Sequence, residues 1–493
     1  MARLAQLDHA HVWHPFTQMR DWLKREPIVI TAGKGAVLRD VRGREYLDAN
    51  SSIWTNLHGH NHPKINAALA RQLKKIAHSS ALGLANEPAS LLAAKLVQVA
   101  NPGRRRRAEV DSIGAAASPR RQLQKVFFSD DGSTAMEVAL KLAYEFTRRT
   151  RGPKTKPRFL SLAGAYHGDT VGAVSVGHID LFHKAYAGLL FPTDEVMAPY
   201  CYRCPFNRAQ PERADARKYR KCSWECVGLV EKKFSAQKKR GNPYAGFVFE
   251  PLLQGAAGMI PQPPGWLRRI TDLARSQGAL LIADEVMTGF GRTNAKCKMQ
   301  NAKLPLFACH QENVQPDFLC LAKGLTGGYL PMAATLTTKR VFDAFLGRYD
   351  EFRTFFHGHS FTGNQLGASA ALASLEILQS QPSIAARTAL EQTLHEELKS
   401  LWSLPNVGDI RQVGLVVGVE LVRDWRTRMP IAMREQAGIR VCEAMARRGV
   451  LTRPIGNVIV LMPPYCATPK QVRRMVEVLA EAMAEVFARR GGR

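Results

Sequence analysis

The sequence predicts an α/β fold: a large domain on a mostly parallel sheet covered by helices, followed by a smaller α+β domain. Three observations carry this. Short apolar runs alternate with amphipathic stretches, the pattern of strands and helices stacked in layers. Several of those runs end in a polar or charged residue, where open α/β sheets place their sites. From about residue 340 the alternation gives way to long helices and then to "GDIRQVGLVVGVELV" and "VIVLMPP", so a second unit begins there.

Taken in order, the opening "MARLAQLDHAHVWHPFTQM" has no basic segment followed by an apolar one, so no secretory leader is expected and the cytoplasm is the default location. No apolar run approaches the ~20 residues that cross a bilayer. Residues 1–65 are expected to join the smaller domain and the site, and 66–340 to form the large domain. Within it, 104–124, "RRRRAEVDSIGAAASPRRQLQ", has little periodicity and is expected to be a flexible insertion. "KVFFSD" (125–130) reads as a strand and "STAMEVALKLAYEFTRR" as the helix after it, with Met136, Leu140, Ala143 and Phe146 near helical spacing. "RFLSLA" (158–163), "GFVFEP" (246–251), "ALLIADE" (279–285), "DFLCLAKG" (317–324) and "MAATLTT" (332–338) are further strands, with helices such as "GWLRRITDLARSQG" (265–278) between them. The smaller domain, 341–493, is expected to end in the helix "PKQVRRMVEVLAEAMAEVFARR".

The net charge of +27 raises the prospect of a nucleic-acid partner. The positive charges are scattered, and no basic stripe interleaved with aromatics appears, so a basic solvated surface is the expectation. Nine cysteines in a chain of 493 residues do not make a disulfide framework. Four of them, Cys201, Cys204, Cys222 and Cys226, cluster as C-x2-C and C-x3-C in an excursion at 200–226. That spacing resembles a structural zinc site, and reduced thiols in a surface excursion give the same pattern. The chemistry below needs no metal.

In "LLIADEVMTGFGRT" (280–293) Asp284 emerges from the end of an apolar run, and a carboxylate there needs a cation. In "FLCLAKGLTGGYLP" Lys323 ends another. A buried ion pair between two strands would account for these two alone. "VFFSDDGSTAME" adds Gly132 and Ser133 between a strand and the first turn of a helix, where bare amides and the positive helix end can hold a phosphate; an ordinary Ser/Thr cap is the competing account. Phosphate site, strand-end Asp and strand-end Lys together are what pyridoxal phosphate requires: a lysine for the aldehyde and proton transfer, and an acid for the ring nitrogen. Tyr166, in "AGAYHGDT", is an aromatic able to stack on the ring, or else a core tyrosine.

"DEVMTGFGRT", "LAKGLTGG" and "AYHGDT", in this order, resemble the class III aminotransferases, which are fold type I pyridoxal-phosphate enzymes with a seven-stranded, mostly parallel sheet and act as homodimers. "VWHPFTQM", "DANSSIWTNLHGHNHPKIN", "FFHGHSFTGNQLG" and "LTRPIGNVIVLMPPY" resemble, within that class, the branch that aminates 8-amino-7-oxononanoate to 7,8-diaminononanoate in biotin biosynthesis. The resemblance runs from about residue 11 to 485 and omits the insertion. It implies Lys323 as the Schiff-base lysine, Asp284 as the pyridinium partner, Gly132 and Ser133 at the phosphate and Tyr166 over the ring. It further implies that His359 and Ser360 reach the phosphate held by a second subunit, with Gly358 beside the substrate. Arg453 would bind the distal carboxylate of the keto acid, and Phe16, Ile53 and Trp54 would wall the channel. Members that draw the amine from S-adenosylmethionine commonly carry paired tryptophans where this chain has Ile53-Trp54, and a tyrosine where it has Phe16. Losing a ring and a hydroxyl removes stacking and a hydrogen bond, so S-adenosylmethionine and L-lysine both stand as donors. Another class III aminotransferase, acting on a diamine or ω-amino acid, would share every cofactor residue.

Overall fold

The computed structural model describes residues 2–101, 121–293 and 305–488. At its centre lie β1 (Leu123–Ser129), β2 (Phe159–Leu162), β3 (Asp194–Val196), β4 (Gly246–Phe249), β5 (Leu280–Asp284), β6 (Phe318–Leu321) and β7 (Ala333–Thr338). They form one seven-stranded sheet in the order β1-β7-β6-β5-β4-β2-β3. Every neighbouring pair is parallel except the two that β7 makes with β1 and β6. The sheet is therefore mostly parallel, as the sequence predicts. β2, β4, β5 and β6 are buried at every position, so these runs are continuously apolar rather than alternating. β3 escaped sequence reading because its three residues, Asp-Glu-Val, carry two charges at a half-covered edge.

The helix Gly132–Arg151 packs on the sheet with Met136, Leu140, Ala143 and Phe146 all buried, as their spacing predicts. Asp131 caps it, its side chain accepting from the Thr134 amide, and Gly152, at φ 106°, closes it. The helix Trp266–Ser276 lies between β4 and β5, as expected. The proposed insertion falls largely on residues outside those described. Its last two positions are a correction: Leu123 and Gln124 begin β1, and the Leu123 side chain is fully buried.

Besides a two-stranded ribbon of Leu253–Gln254 with Ile260–Pro261, two further sheets accompany the large one among the described residues. Val407–Val413 and Val416–Asp424 form an antiparallel hairpin turned at Gly414, and Val458–Leu461 adds to it. The strands Ile30–Lys34, Val37–Asp40 and Glu45–Asp48 form an antiparallel meander. Its last strand pairs in parallel with Val450–Leu451, with Leu451 opposite Asp48. Further bonds join Ala49 to Leu451 and Met462. Early residues and late residues thus share a sheet. The helix Pro469–Ala488 buries Val472, Met475, Leu479 and Met483 against this unit. Among the described residues no helix is long and apolar enough to cross a membrane.

Candidate active site

β5 and β6 run in parallel register with Asp284 opposite Cys320, so Asp284 and Lys323 emerge at the same edge of the sheet. A cavity of about 1470 Å³ opens there, lined by both of them, by Gly132 and Ser133, by Tyr166, and by Phe16, Ile53, Trp54 and Arg453. Eight of the residues singled out in the sequence thus join Lys323 at one place.

Asp284 is almost fully buried. Its Oδ2 lies 2.7 Å from His167 Nδ1, and its Oδ1 accepts the Val286 amide at 3.0 Å. Lys323 has no carboxylate within ion-pairing distance among the described residues. The two do not form the simple ion pair that the sequence left open. Instead the Lys323 ammonium lies 4.5 Å from the centroid of the Trp54 ring. Burial lowers its pKa, while Asp284 and Glu250 work in the opposite direction. Its backbone φ is +39°, a conformation that L-residues avoid and that sets the side chain where the strand ends.

The Asp131 cap uses the Thr134 amide, so the Gly132 and Ser133 amides are the orphan donors at the helix start. Ser133 is therefore not the cap. Its Oγ accepts the Asp169 amide at 3.1 Å. A side chain at Gly132 would meet Val286 Cγ1 at 2.7 Å, so only glycine lets the helix start approach the end of β5 so closely. The Tyr166 hydroxyl donates to Asp169 Oδ2 at 2.7 Å, and burial with that bond raises its pKa well above the ordinary phenol value. The Tyr166 ring packs edge-on to Phe182 and Phe16, and Phe16 in turn sits 5.2 Å from Phe182. Arg453 Nη2 donates to the Phe16 carbonyl at 3.4 Å and has no carboxylate partner among the described residues.

Ile53 and Trp54 stand on an unusual piece of backbone. Ser51, Ser52, Ile53 and Trp54 have φ of 46°, 48°, 73° and 70°, a left-handed turn made without glycine. Such backbone costs roughly 1–2 kcal/mol per residue. The Trp54 indole N–H donates to Asn50 Oδ1 at 2.9 Å, and the Ser51 hydroxyl to the Met462 carbonyl at 2.7 Å.

Three expected residues lie apart. Gly358 and Ser360 are exposed and do not line this chain's cavity. His359 does not line it either, but its Nδ1 lies 3.1 Å from Oδ2 of Asp130, which does. The four clustered cysteines are free thiols, and among the described residues no group of three His, Cys, Asp or Glu converges as metal ligands. Burial pushes the Cys201 thiol up to about 12 and the Cys226 thiol up to about 11.

A family model, aminotransferase class-III, matches residues 19–483. The chain belongs to the class III aminotransferases. It is 45% identical over 98% of its length, and 98% of the relative's, to the adenosylmethionine-8-amino-7-oxononanoate aminotransferase of Geobacter sulfurreducens. It superposes with TM-score 0.84, at 39% identity and over 98% and 99% of the two chains, on the crystal structure of the Methanocaldococcus jannaschii protein of the same name. An amine transaminase from an uncultivated Pseudomonas species, solved with pyridoxal phosphate bound, matches at TM-score 0.82 and 31% identity over 97% and 99%.

The site of this class III aminotransferase fits pyridoxal phosphate on its own chemistry. It offers an amine that among the described residues has no ion pair, a carboxylate held by a histidine, two orphan helix amides and an aromatic ring around one cavity. Two neighbours of this set were missed in the sequence. His167 orients Asp284 and is fully buried at its side chain. It directly follows Tyr166 in the motif, the one signal that could have found it. Glu250 follows β4 as Asp284 ends β5, and the same strand-end rule applied to "GFVFEP" would have found it. Its Oε2 accepts the Gly255 amide at 2.8 Å. Burial, with Asp284 nearby, pushes its carboxyl up to about 7.

Proposed function

We propose that this chain, with pyridoxal phosphate bound, transfers an amino group to the ketone of 8-amino-7-oxononanoate, giving 7,8-diaminononanoate for biotin biosynthesis. One observation carries the substrate: Arg453, which has no carboxylate partner among the described residues, lines a channel walled by Phe16, Ile53 and Trp54. An aliphatic chain with a carboxylate at its far end suits that channel, with its ketone delivered toward Lys323. Full-length similarity to relatives bearing that enzyme name supports the same substrate.

Pyridoxal phosphate, when bound, supplies the carrier of the amino group and the sink for the electrons left when a proton departs. The chain's own residues do the rest. Gly132 and Ser133 hold the phosphate, and Tyr166 covers the ring. Asp284, fixed by His167, would hold the ring nitrogen. Lys323 would hold the cofactor's aldehyde carbon and, as a free amine, would carry the proton at the reacting carbon. Its lowered pKa favours the neutral amine that accepts a proton.

The assembly we propose is a homodimer in which Gly358, His359 and Ser360 complete the partner's site. Large apolar side chains crowd this region: Tyr349 is 96% exposed, Phe352 70% and Phe356 71%, with Leu82 at 90%. A surface of that kind calls for a covering partner. The domain division at about residues 65 and 340, and the cytoplasm as location, belong to the same proposal.

The test is a half-reaction on cofactor-loaded protein, with S-adenosylmethionine added to one sample and L-lysine to another while the cofactor absorbance is followed. The donor that changes the spectrum is the physiological class, and adding the keto acid then restores the starting band. Lys323→Ala is expected to lose more than about 10³-fold in turnover. Keto acid refused in favour of a diamine or ω-amino acid would replace the substrate and leave the aminotransferase.

A further inference from the structure

The left-handed turn at 51–54 needs a holder, because four successive non-glycine residues do not stay there unaided. The structure supplies one. Asp48, the last residue of its strand, is almost fully buried. Its Oδ1 accepts the Asn50 and Ser52 amides, each at 3.1 Å. Its Oδ2 accepts the Ser52 hydroxyl at 3.2 Å and lies 2.9 Å from His60 Nε2. Four contacts converge on one carboxylate, three of them from the turn and its entry. Burial works to raise the Asp48 pKa, yet the bonds from His60, Ser52 and Asn50 outweigh it and hold the carboxyl below its ordinary value. The carboxylate is therefore ionised wherever the protein works, and each amide bond to it is charge-assisted.

The turn has a direction. It ends in Trp54, whose ring lies over the Lys323 ammonium, and it exposes Ile53 to the cavity. Asp48 itself does not line that cavity, and it has no hydrogen bond or ion pair with Lys323, Asp284, Gly132 or Ser133 among the described residues. It touches the reaction only through the backbone it holds.

We propose that Asp48 is a positioning residue: its carboxylate clamps the left-handed turn 51–54, and so sets Trp54 over Lys323 and Ile53 at the channel wall. This rests on the reading of the cavity as the site of amino transfer. The clamp acts on where the substrate chain lies and not on whether the cofactor binds.

The experiment compares wild type, Asp48→Asn and Asp48→Asn/Ser52→Gly as cofactor-loaded enzymes. Asparagine keeps the shape and removes the charge. D48N is expected to lose at least tenfold in kcat/KM for the keto acid, mostly through KM, while its affinity for pyridoxal phosphate, titrated by absorbance, stays within twofold. Glycine adopts positive φ freely. The double variant is therefore expected to recover at least threefold over D48N, which a merely structural role for Asp48 would not produce. Hydrogen exchange on the cofactor-free proteins gives a second readout, with the segment 49–56 exchanging faster in D48N than in wild type. If D48N does not accumulate as folded protein, His60→Ala removes one contact to the same carboxylate and is expected to shift KM and exchange in the same directions. Wild-type kinetics in D48N, a loss explained by weaker cofactor binding, or no recovery with glycine would overturn the proposal. If wild type itself refuses the keto acid with either donor, the assigned function fails, and the exchange result still reports whether Asp48 holds the turn.

Discussion

Arg453 shows how one side chain can carry specificity. It follows the short strand Val450–Leu451 and leans on the Phe16 carbonyl at 3.4 Å, a weak bond that a carboxylate would readily displace. A charge-assisted pair is worth about 1.5–3 kcal/mol. Arg453→Ala is therefore expected to raise KM for the keto acid by about 10–100-fold with kcat little changed, as initial-rate kinetics would check. Lysine in its place cannot form the same planar fork and is expected to recover only part of the loss. Lys323 and Asp284 were legible in the sequence because a charge ending an apolar run is conspicuous. His167 and Glu250 were not, since each becomes meaningful only when three strand ends are brought side by side. The left-handed backbone under Ile53 and Trp54 was illegible too. "SSIW" contains no glycine, and its conformation is dictated by Asp48 and Met462, the latter far along the chain.

Among the elements, the cysteine-bearing excursion is the most instructive. Charged side chains tie it to the neighbouring hairpin. Tyr200 and Arg203 meet Glu420 on the hairpin strand Val416–Asp424, with Arg203 Nε 2.7 Å from Glu420 Oε1. Arg411, fully buried, ion-pairs with the same carboxylate. Arg213 and Arg217 donate to the Val407 and Gln412 carbonyls at 2.6 and 2.8 Å. Removing the anion would strand a buried guanidinium, at about 3–5 kcal/mol. Glu420→Gln is thus expected to lower stability by that amount in denaturant titration, whereas Cys204→Ser and Cys222→Ser are expected to stay within about 0.5 kcal/mol. The spacing of the cysteines was legible, but spacing does not reveal that Cys201 and Cys226 are buried while Cys204 and Cys222 are half-exposed.

For the molecule as a whole, buried titratable groups set the response to pH. Burial pushes the carboxyls of Glu250, Glu285 and Asp409 up to about 7. The folded state holds those protons more tightly than the unfolded chain, so this contribution is present in acid and is lost as pH rises through about 7. Burial lowers His58 to about 3, and His178 and His310 to about 4. There the unfolded chain takes up protons first, so stability is lost as pH falls below about 6.5. Between these limits the two sets oppose each other. Thermal melting of the cofactor-free protein is therefore expected to be nearly flat between about pH 4.5 and 6.5, to fall toward pH 4, and to step down between about pH 6.5 and 7. The sheet order could be reached from strand-end chemistry, but this balance could not, because burial depth is a property of the packed molecule.

The pairing of Glu45–Asp48 with Val450–Leu451 has a consequence in time. A ribosome adds about 5–20 residues per second, so the strand carrying Asp48 leaves it some 20–80 s before its partner exists. During that interval its edge has unpaired amides and carbonyls, an invitation to other nascent chains. The substrate channel, whose Ser51 also leans on Met462, cannot close until synthesis is nearly finished. A product truncated before Val450 therefore lacks these supports of the channel, however well its large sheet has folded.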